Sequence, residues 1–517
     1  MKKQTKYTLI TLMMVAILFG CNDVMEDMQT SDKALNEELL KADALNVKSF
    51  IPSLSTNVNN ITTSWQYQVE QNLNADHFSG YMMSANPFGL PGTNAHYNIN
   101  DGWNGWIYTV ASTNLTQMVA LKREALPEYS DYYSYGLLLK ILSALPMVDA
   151  FGAFPYKDFG TGTDVQWDNL ETIYDEMFSE LDFAIDTLSS YVGTERANRI
   201  SNDVSSYSGD YIKFIKLANT LKLRLAMRIS DVAPSKAQTL AEEVIADEYG
   251  TLTADDGEFS IVTSYNHPLW QLAAWGDIQM GADVESILGG YQDPRLGEFF
   301  SAAADEEVAG EYKGIRQGAP PIQGAYVGFS KPNFAQTAPM VLVTAAEAYF
   351  LKAEAALYGW NMGGTAQEFY EEGIKTSFAQ YGLEDADDYI KSHLTPKSYT
   401  DPKNASNAFA AMTTVTPSWE DATADEERLE KIITQKWIAI FPDGAEAWAE
   451  FRRTGYPKLK PIPASQNANI PTGQFIKKLP VPSNVTSVSP TRYQEAKDNF
   501  FGGNDNAGTS VWWDVEN

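Results

Sequence analysis

The stretch 344-TAAEAYFLKAEAALYGWNMGGTAQEFYEEGIKTSF-378 decides the fold. It reads as two helices joined by the turn Asn361-Met362-Gly363-Gly364. In the first helix, small residues (Ala346, Ala353, Ala356) alternate with large ones (Tyr349, Phe350, Leu357). In the second, Ala366, Tyr370 and Gly373 follow the spacing A-x-x-x-F-x-x-A, with Gly in the last small position. Residues three and four apart share one helix face. Small side chains on that face let the two axes approach closely.

This is the spacing of a tetratricopeptide helix pair, although generic helix packing uses similar spacing. Ala237, Ala241 and Val244 echo it more weakly, and the intervals between candidate pairs are irregular. Helical periods recur over 103–124, 130–150, 170–189, 210–230, 234–247, 340–359, 364–381 and 426–441. A stretch from Ile61 to Leu73 is helix-compatible, and Leu35, Leu39, Leu40 and Leu45 begin an apolar stripe. The expected fold class is mostly α, a scaffold of tetratricopeptide-type helix pairs with long irregular excursions. One excursion, 77-HFSGYMMSANPFGLPGTNAHYNIND-101, is punctuated by Gly80, Pro87, Gly89, Pro91 and Gly92. A loop of that length is usually functional or disordered, and its Tyr81, Phe88, His96 and Tyr97 argue against disorder. A second runs from about 255 to 338 and is rich in Gly, Pro, Tyr and Trp. The part after Gly455 is irregular and Pro-rich, ending in Trp512-Trp513-Asp514.

The N-terminus carries its own signal. Lys2, Lys3 and Lys6 precede an apolar run from Leu9 to Phe19, then Gly20 and Cys21, the only cysteine of the chain. A basic segment before a short apolar one is an export signal, too short for a comfortable span. Cleavage at Gly20–Cys21 and acylation of Cys21 are expected, although Phe19 fits the pattern less well than a small residue. The competing reading is an ordinary buried cysteine. The expected organisation is a signal peptide over 1–20, a lipidated acidic tether over 21–32, and one domain over 33–517.

Composition narrows the function. No internal disulfide can form with one cysteine, so a core must carry the fold, and 517 residues can supply one. The formal net charge is −29, from 67 acidic and 38 basic residues. That balance excludes nucleic acid as a partner and electrostatic adhesion to anionic lipid. The four histidines, His77, His96, His267 and His393, have no zinc-motif spacing. There is no G-x-S-x-G elbow and no phosphate-binding glycine loop. A carboxylate pair for glycoside hydrolysis needs no sequence proximity and stays open. No cofactor is required. Calcium stays open at 250-GTLTADDGE-258, which lacks the alternation of an EF-hand loop, and at Asn504-Asp505-Asn506.

Several further segments have a joint signature: 148-VDAFGAFPYKDFGTG-162, 293-DPRLGEFF-300 with 311-EYKGIRQG-318, 345-AAEAYFLKAEAALYGW-360, and 441-FPDGAEAWAEFRRTGYPKL-459. The endings 479-LPVPSN-484, 502-GGNDN-506 and 512-WWD-514 complete it. In this order they resemble the SusD/RagB family of outer-membrane nutrient-binding lipoproteins, in its second SusD-like branch. The resemblance implies a lipid-anchored protein on the outer membrane, facing the cell exterior. It implies capture of an oligosaccharide or polysaccharide and delivery to a SusC-like TonB-dependent transporter, with no catalysis. Some relatives bind peptides.

Within those motifs Trp448, Phe451 and Tyr456 read as core, on a helix and its exit. Arg452 and Arg453 read as partners of acids or helix-end carbonyls. Asp293 and Arg295 read as an ion pair across the Pro294 turn. Sugar binding needs flat aromatic faces and planar polar groups, collected on loops over a rigid scaffold. The candidates are Tyr81, Asn94, His96 and Tyr97 in the early loop, and Tyr265, Trp270, Trp275 and Asp277 in the central excursion. Tyr291 is added beside the DPR turn. Trp270 and Trp275 lie five apart, so on a helix they diverge and only one can be core. Trp103 and Trp106 begin a helix and read as packed.

Overall fold

The computed structural model describes residues 44–86, 88, 93–320, 322 and 324–515. Cys21 and the expected boundaries at 20/21 and 32/33 lie outside them. The chain divides into two units, residues 1–49 and 50–517. The described part of the first includes a helical turn, Leu45–Lys48.

The second unit is an array of helices: α1 (Asp101–Ala125), α2 (Ser130–Phe151), α3 (Leu170–Tyr191), α4 (Tyr211–Arg228) and α5 (Pro234–Ala246). Each packs on the next in sequence. The array continues through α7 (Ala345–Leu357), α8 (Ala366–Gln380), α9 (Asp425–Ala439) and α10 (Gly444–Thr454). Smaller helices flank the array, among them α6 (Pro268–Trp275) in the central excursion and α11 (Pro490–Phe500) near the C-terminus. Helix starts are written in the sequence. Asn169, Asp210, Thr344, Thr365 and Asp443 each accept a backbone N–H of their own first turn. Thr365 and Glu368 form a reciprocal capping box. Helix α2 is long and apolar enough to cross a membrane, but it is buried within the array, between α1 and α3.

The α7–α8 pair explains its own spacing. A Cβ on Gly373 would lie 2.8 Å from the Phe350 ring. The helices approach so closely that the last small position of the pattern admits only glycine. The helical period does not begin at Met340. Met340–Val343 is strand β6, antiparallel to β4 (Phe259–Ile261). Its β-branched Val341 and Val343 suit a paired strand, and the Thr344 cap starts the helix after it. Strands β2 (Ala153–Phe154) and β3 (Asp168–Asn169) pair beside α3. Strands β1 (Met82–Met83) and β5 (Gln279–Met280) pair antiparallel, Met82 opposite Met280. That pairing joins the early loop to the central excursion.

The helices are locked by buried charge. Arg228 donates to Asp149 at 2.9 Å, Glu446 at 2.7 Å and Glu450 at 3.0 Å. Lys436 reaches Glu347, Glu446 and Glu450 at 3.0–3.5 Å. Arg224 is bidentate on Glu347, and Arg453 is bidentate on Glu354 and also holds Glu450. Arg452 donates to the carbonyls of Asp149 and Lys477. Four cations, Arg224, Arg228, Lys436 and Arg453, thus face five carboxylates in the interior. Burial pushes the Glu446 carboxyl up, but Arg228, Lys436 and Arg224 overcome it and hold the group at about 2. The family motif 441–459 is therefore largely interior. Trp448, Phe451 and Tyr456 are buried as read. Asp293 and Arg295 pair at 2.6 Å, fully buried, and Arg295 also binds Ser377 and Gln435.

Candidate functional site

Four segments meet at one aromatic surface: residues 64–68, 84–88, 103–106 and 268–277. The turn Ser64–Tyr67 buries Tyr67 and leaves Trp65 47% exposed. Trp65 packs edge-on to Trp106, with ring centroids 5.0 Å apart. Trp103, one turn before Trp106, packs edge-on to Phe88 at 5.8 Å. Trp103 and Trp106 are half-buried, so neither is absorbed into the core. Helix α6 packs on the Ser64–Tyr67 turn. It buries Leu269 and Leu272, half-buries Trp270, and ends on Trp275, which is 47% exposed. The two tryptophans diverge as their spacing requires. Tyr265, just before α6, is 49% exposed.

Asp277 ties these segments together. Its Oδ2 accepts from Gln68 Nε2 at 3.1 Å and its Oδ1 from Asn86 Nδ2 at 2.9 Å. Its carbonyl accepts from Ser84 Oγ at 2.7 Å. Gln68 opens a single π-helical turn, Gln68–Asn72, a distortion that concentrates at functional sites. Ser84, Ala85, Asn86 and Phe88 are each held by a hydrogen bond. Ser84 N donates to His77 Nε2 at 2.9 Å, while His77 Nδ1 donates to the Asn72 carbonyl. Burial lowers His77 to about 4, so it is neutral in this role. Ala85 N donates to Gln279 Oε1 at 3.1 Å. Phe88 N donates to Asn86 Oδ1 at 2.9 Å, with Phe88 at φ 52°, a left-handed backbone that bulky residues rarely adopt.

Five residues expected at the ligand face lie in the interior instead. Tyr81 donates to the Trp437 carbonyl and packs on that ring at 4.8 Å. Asn94 donates to Asn74 and Asn104, and its oxygen accepts from Asn100 N. His96 accepts from Thr93 N at 3.1 Å and donates through Nε2 to the Ala319 carbonyl at 3.0 Å. Tyr97 packs against Phe78. Tyr291 donates to the Val415 carbonyl at 3.0 Å. All five are buried, and a side chain without solvent access cannot stack on a ligand. Helix α6, which carries Trp270 and Trp275, thus packs on the turn that bears Trp65, Asp277 bonds Gln68 and Asn86, and Phe88, Trp103 and Trp106 join through ring contacts. The signal for Trp65 was local: it shares a helical turn with Tyr67, and two large aromatics two apart cannot face one core.

The two calcium candidates have other work. Asp256 binds Lys216 Nζ at 2.8 Å and Thr253, and Asp505 binds Lys478 Nζ at 2.5 Å and Tyr493. Among the described residues no cluster of three or more His, Cys, Asp or Glu is placed to hold a metal ion.

Comparison with known proteins adds the lineage. A family model described as "SusD-like: Susd and RagB outer membrane lipoprotein" matches residues 27–514. The chain belongs to the SusD/RagB family. A chitin-binding SusD homologue from Flavobacterium johnsoniae is 38% identical, with a TM-score of 0.88 over 91% of this chain and 99% of that one. A SusD homologue from Bacteroides vulgatus is 34% identical, TM-score 0.85, over 92% and 99%. One from Bacteroides thetaiotaomicron is 29% identical, TM-score 0.84, over 91% and 99%. Among curated proteins none matches at a significant level. This SusD-like fold is mostly helical, with the tetratricopeptide-type pairs read from 344–378.

Proposed function

We propose that this SusD-like protein is a cell-surface glycan-binding lipoprotein, anchored through Cys21 to the outer membrane and facing the exterior. It captures an oligosaccharide or polysaccharide and delivers it to a SusC-like TonB-dependent transporter, without turnover. The observation that carries the reading is the aromatic surface of Trp65, Trp103, Trp106 and Trp275, pinned by Asp277. Exposed flat rings on a prearranged frame suit the apolar faces of pyranose rings. The chitin-binding relative makes a β-linked N-acetylglucosamine polymer the first ligand to test. Tyr265 and Trp270 belong to the same proposed site.

The test is affinity gel electrophoresis of residues 22–517 through soluble glycans, glycol chitin first. Retardation without degradation, lost in Trp275→Ala or Trp65→Ala, is the expected result. Release of shortened products would replace capture by glycoside hydrolysis. Retardation unchanged in both variants would move the site elsewhere.

A peptide ligand has one observation of its own. An open groove of about 390 Å³ between α1, α2 and α3 is lined by Tyr133, Phe159 and Phe183. Peptide binding there, lost in Phe183→Ala with no glycan retarded, would favour that second reading.

A further inference from the structure

The eight residues of α6 carry Trp270 and Trp275. A helix of about two turns is marginal by itself, so its ends must be held from outside. The C-terminal end closes on Gly276, at φ 77°, and on Asp277, whose N–H returns to the Leu272 carbonyl at 3.2 Å. The Asp277 carboxylate then ties that end to Gln68 and Asn86. The N-terminal end rests on His267. Pro268 brings no N–H. The next one, Leu269 N, donates to His267 Nδ1 at 3.2 Å, so the imidazole is the cap of α6. The His267 backbone N–H donates to the Gln336 carbonyl at 2.7 Å.

Histidine is not among the usual capping residues, Ser, Thr, Asp and Asn, and here it leaves a polar atom unpaired. His267 is 3% exposed. With Nδ1 accepting, Nε2 carries the proton, and it has no partner among the described residues. Buried N–H groups are normally satisfied, so the exception requires a reason. The ring gives one. It lies parallel to Phe334, with centroids 4.3 Å apart and planes 5° apart. Phe334 in turn stacks on Phe441, between α9 and α10, at 6.2 Å and 28°. This column runs from the helical scaffold to the root of α6 and fixes the imidazole plane, aiming Nδ1 at Leu269 N. The cap needs the neutral ring, because a protonated imidazole has no acceptor. Burial lowers His267 to about 4, and no charged or ionisable group among the described residues adds to the shift. The cap is therefore in place above that pH and is lost as pH falls through it.

We propose that His267 is a positioning residue of the glycan site, its Nδ1 holding α6, and with it Trp270 and Trp275, in the binding arrangement. The inference rests on the glycan reading above. His267 touches no ligand and acts through the helix that it caps.

The test compares His267→Phe with His267→Asn in residues 22–517, by amide hydrogen exchange over 269–275 without ligand and by calorimetric titration with chitohexaose. Phe keeps a ring against Phe334 and removes both the acceptor and the unpaired N–H. Its Tm should not fall, yet exchange over 269–275 should speed up about five-fold and Kd should rise about five-fold, the effect of losing one cap. Asn keeps an acceptor and loses the ring. Its Tm should fall, while exchange in α6 and Kd at pH 7 stay within two-fold of native. Between pH 6 and 3.5 the native Kd should rise about three-fold relative to that of His267→Asn, a comparison that cancels the carboxylates common to both. Native exchange over 269–275 in His267→Phe, or affinities that follow Tm and not the acceptor, would overturn the inference. A native protein that binds neither chitohexaose nor glycol chitin brings down the glycan reading, and the exchange comparison then still decides whether His267 holds α6.

Discussion

Replacing Asp277 with alanine should weaken glycan binding while leaving the fold intact. Asp277 lies beneath the proposed binding surface and acts by holding its parts. Its carboxylate accepts two side-chain hydrogen bonds, from Gln68 at 3.1 Å and Asn86 at 2.9 Å. Hydrogen bonds to a charged group contribute about 1.5–3 kcal/mol each. Asp277 is only half-buried, so the low end applies and the pair contributes about 3 kcal/mol. Part of that loss appears as a loosened loop at Ser84–Phe88. Ordering one residue costs about 1–2 kcal/mol, and His77 and Gln279 still hold Ser84 and Ala85. Re-ordering Asn86 and the Phe88 segment on binding then costs about 2 kcal/mol, a roughly 30-fold rise in Kd. Asp277→Asn keeps an acceptor for Asn86 but sets an amide N–H₂ against Gln68. It should cost about 1 kcal/mol, roughly five-fold. Calorimetric titration with the glycan retained in affinity electrophoresis gives both values, and thermal unfolding gives the control. Native affinity in Asp277→Ala would refute the clamp. So would a Tm loss above about 5 °C, because for a unit of this size it would mean more than local loosening.

Further outcomes follow from the interior and from one exposed pair. Arg228→Met leaves Asp149, Glu446 and Glu450 short of one cation, a change that costs about 3–5 kcal/mol. With an unfolding entropy of about 2.1 cal/mol/K per residue over roughly 470 residues, Tm falls by about 4 °C in scanning fluorimetry. Lys375→Met, which opens the exposed pair with Asp387, should move it by less than about 1 °C. Asp76 sets a pH dependence. Burial raises its carboxyl to about 8 and that of Asp443 to about 6. The folded state keeps protons that the unfolded chain releases near pH 4, so this contribution is complete below about pH 4 and is lost as pH rises toward 8. Tm of the native protein should therefore decline from pH 5 to 8.5, and Asp76→Asn should flatten the decline; equal slopes would dismiss Asp76 as the cause. Glu446, held at about 2, acts oppositely, its contribution being lost as pH falls from about 4.5 toward 2. Gly373→Val should lower Tm by a few degrees, because its side chain would meet the Phe350 ring.

The helical scaffold was legible because its signals are local. A period of 3.6, a Thr or Asp cap and small residues facing a partner all lie within one helix pair, as in 344–378. The errors came where a partner distant in sequence decides. Met340–Val343 carries enough apolar residues to extend a helix, but Phe259–Ile261 claims it as a strand. The part after Gly455 looked irregular, although α11 forms there on a Pro start. The early loop looked like surface because it is full of Gly, Pro and Asn. Its Asn and His residues are instead the means by which an irregular backbone is buried. Asn94 accepts Asn100 N, His96 accepts Thr93 N and His77 accepts Ser84 N. A buried loop must satisfy its own backbone, and side chains with both donors and acceptors do that.

The same logic explains why the aromatic surface was only half visible. A tryptophan reads alike in sequence whether it fills a core or faces solvent. What distinguishes Trp65 and Trp275 from the buried Trp437 and Trp448 is that no element among the described residues covers them, a property of the assembled fold. The frame that aims them is also non-local, since Asp277 reaches Gln68 and Asn86 across about 200 positions of sequence. Such a frame separates stability from binding. The helices and their buried ion pairs make no use of Asp277, whereas the segments that carry the rings are tied to one another through its carboxylate. Substitutions in α6 and in that loop can therefore alter ligand preference at little cost to folding. Substitutions among Arg224, Arg228 and Lys436 cannot, because each removes a charge that three helices share.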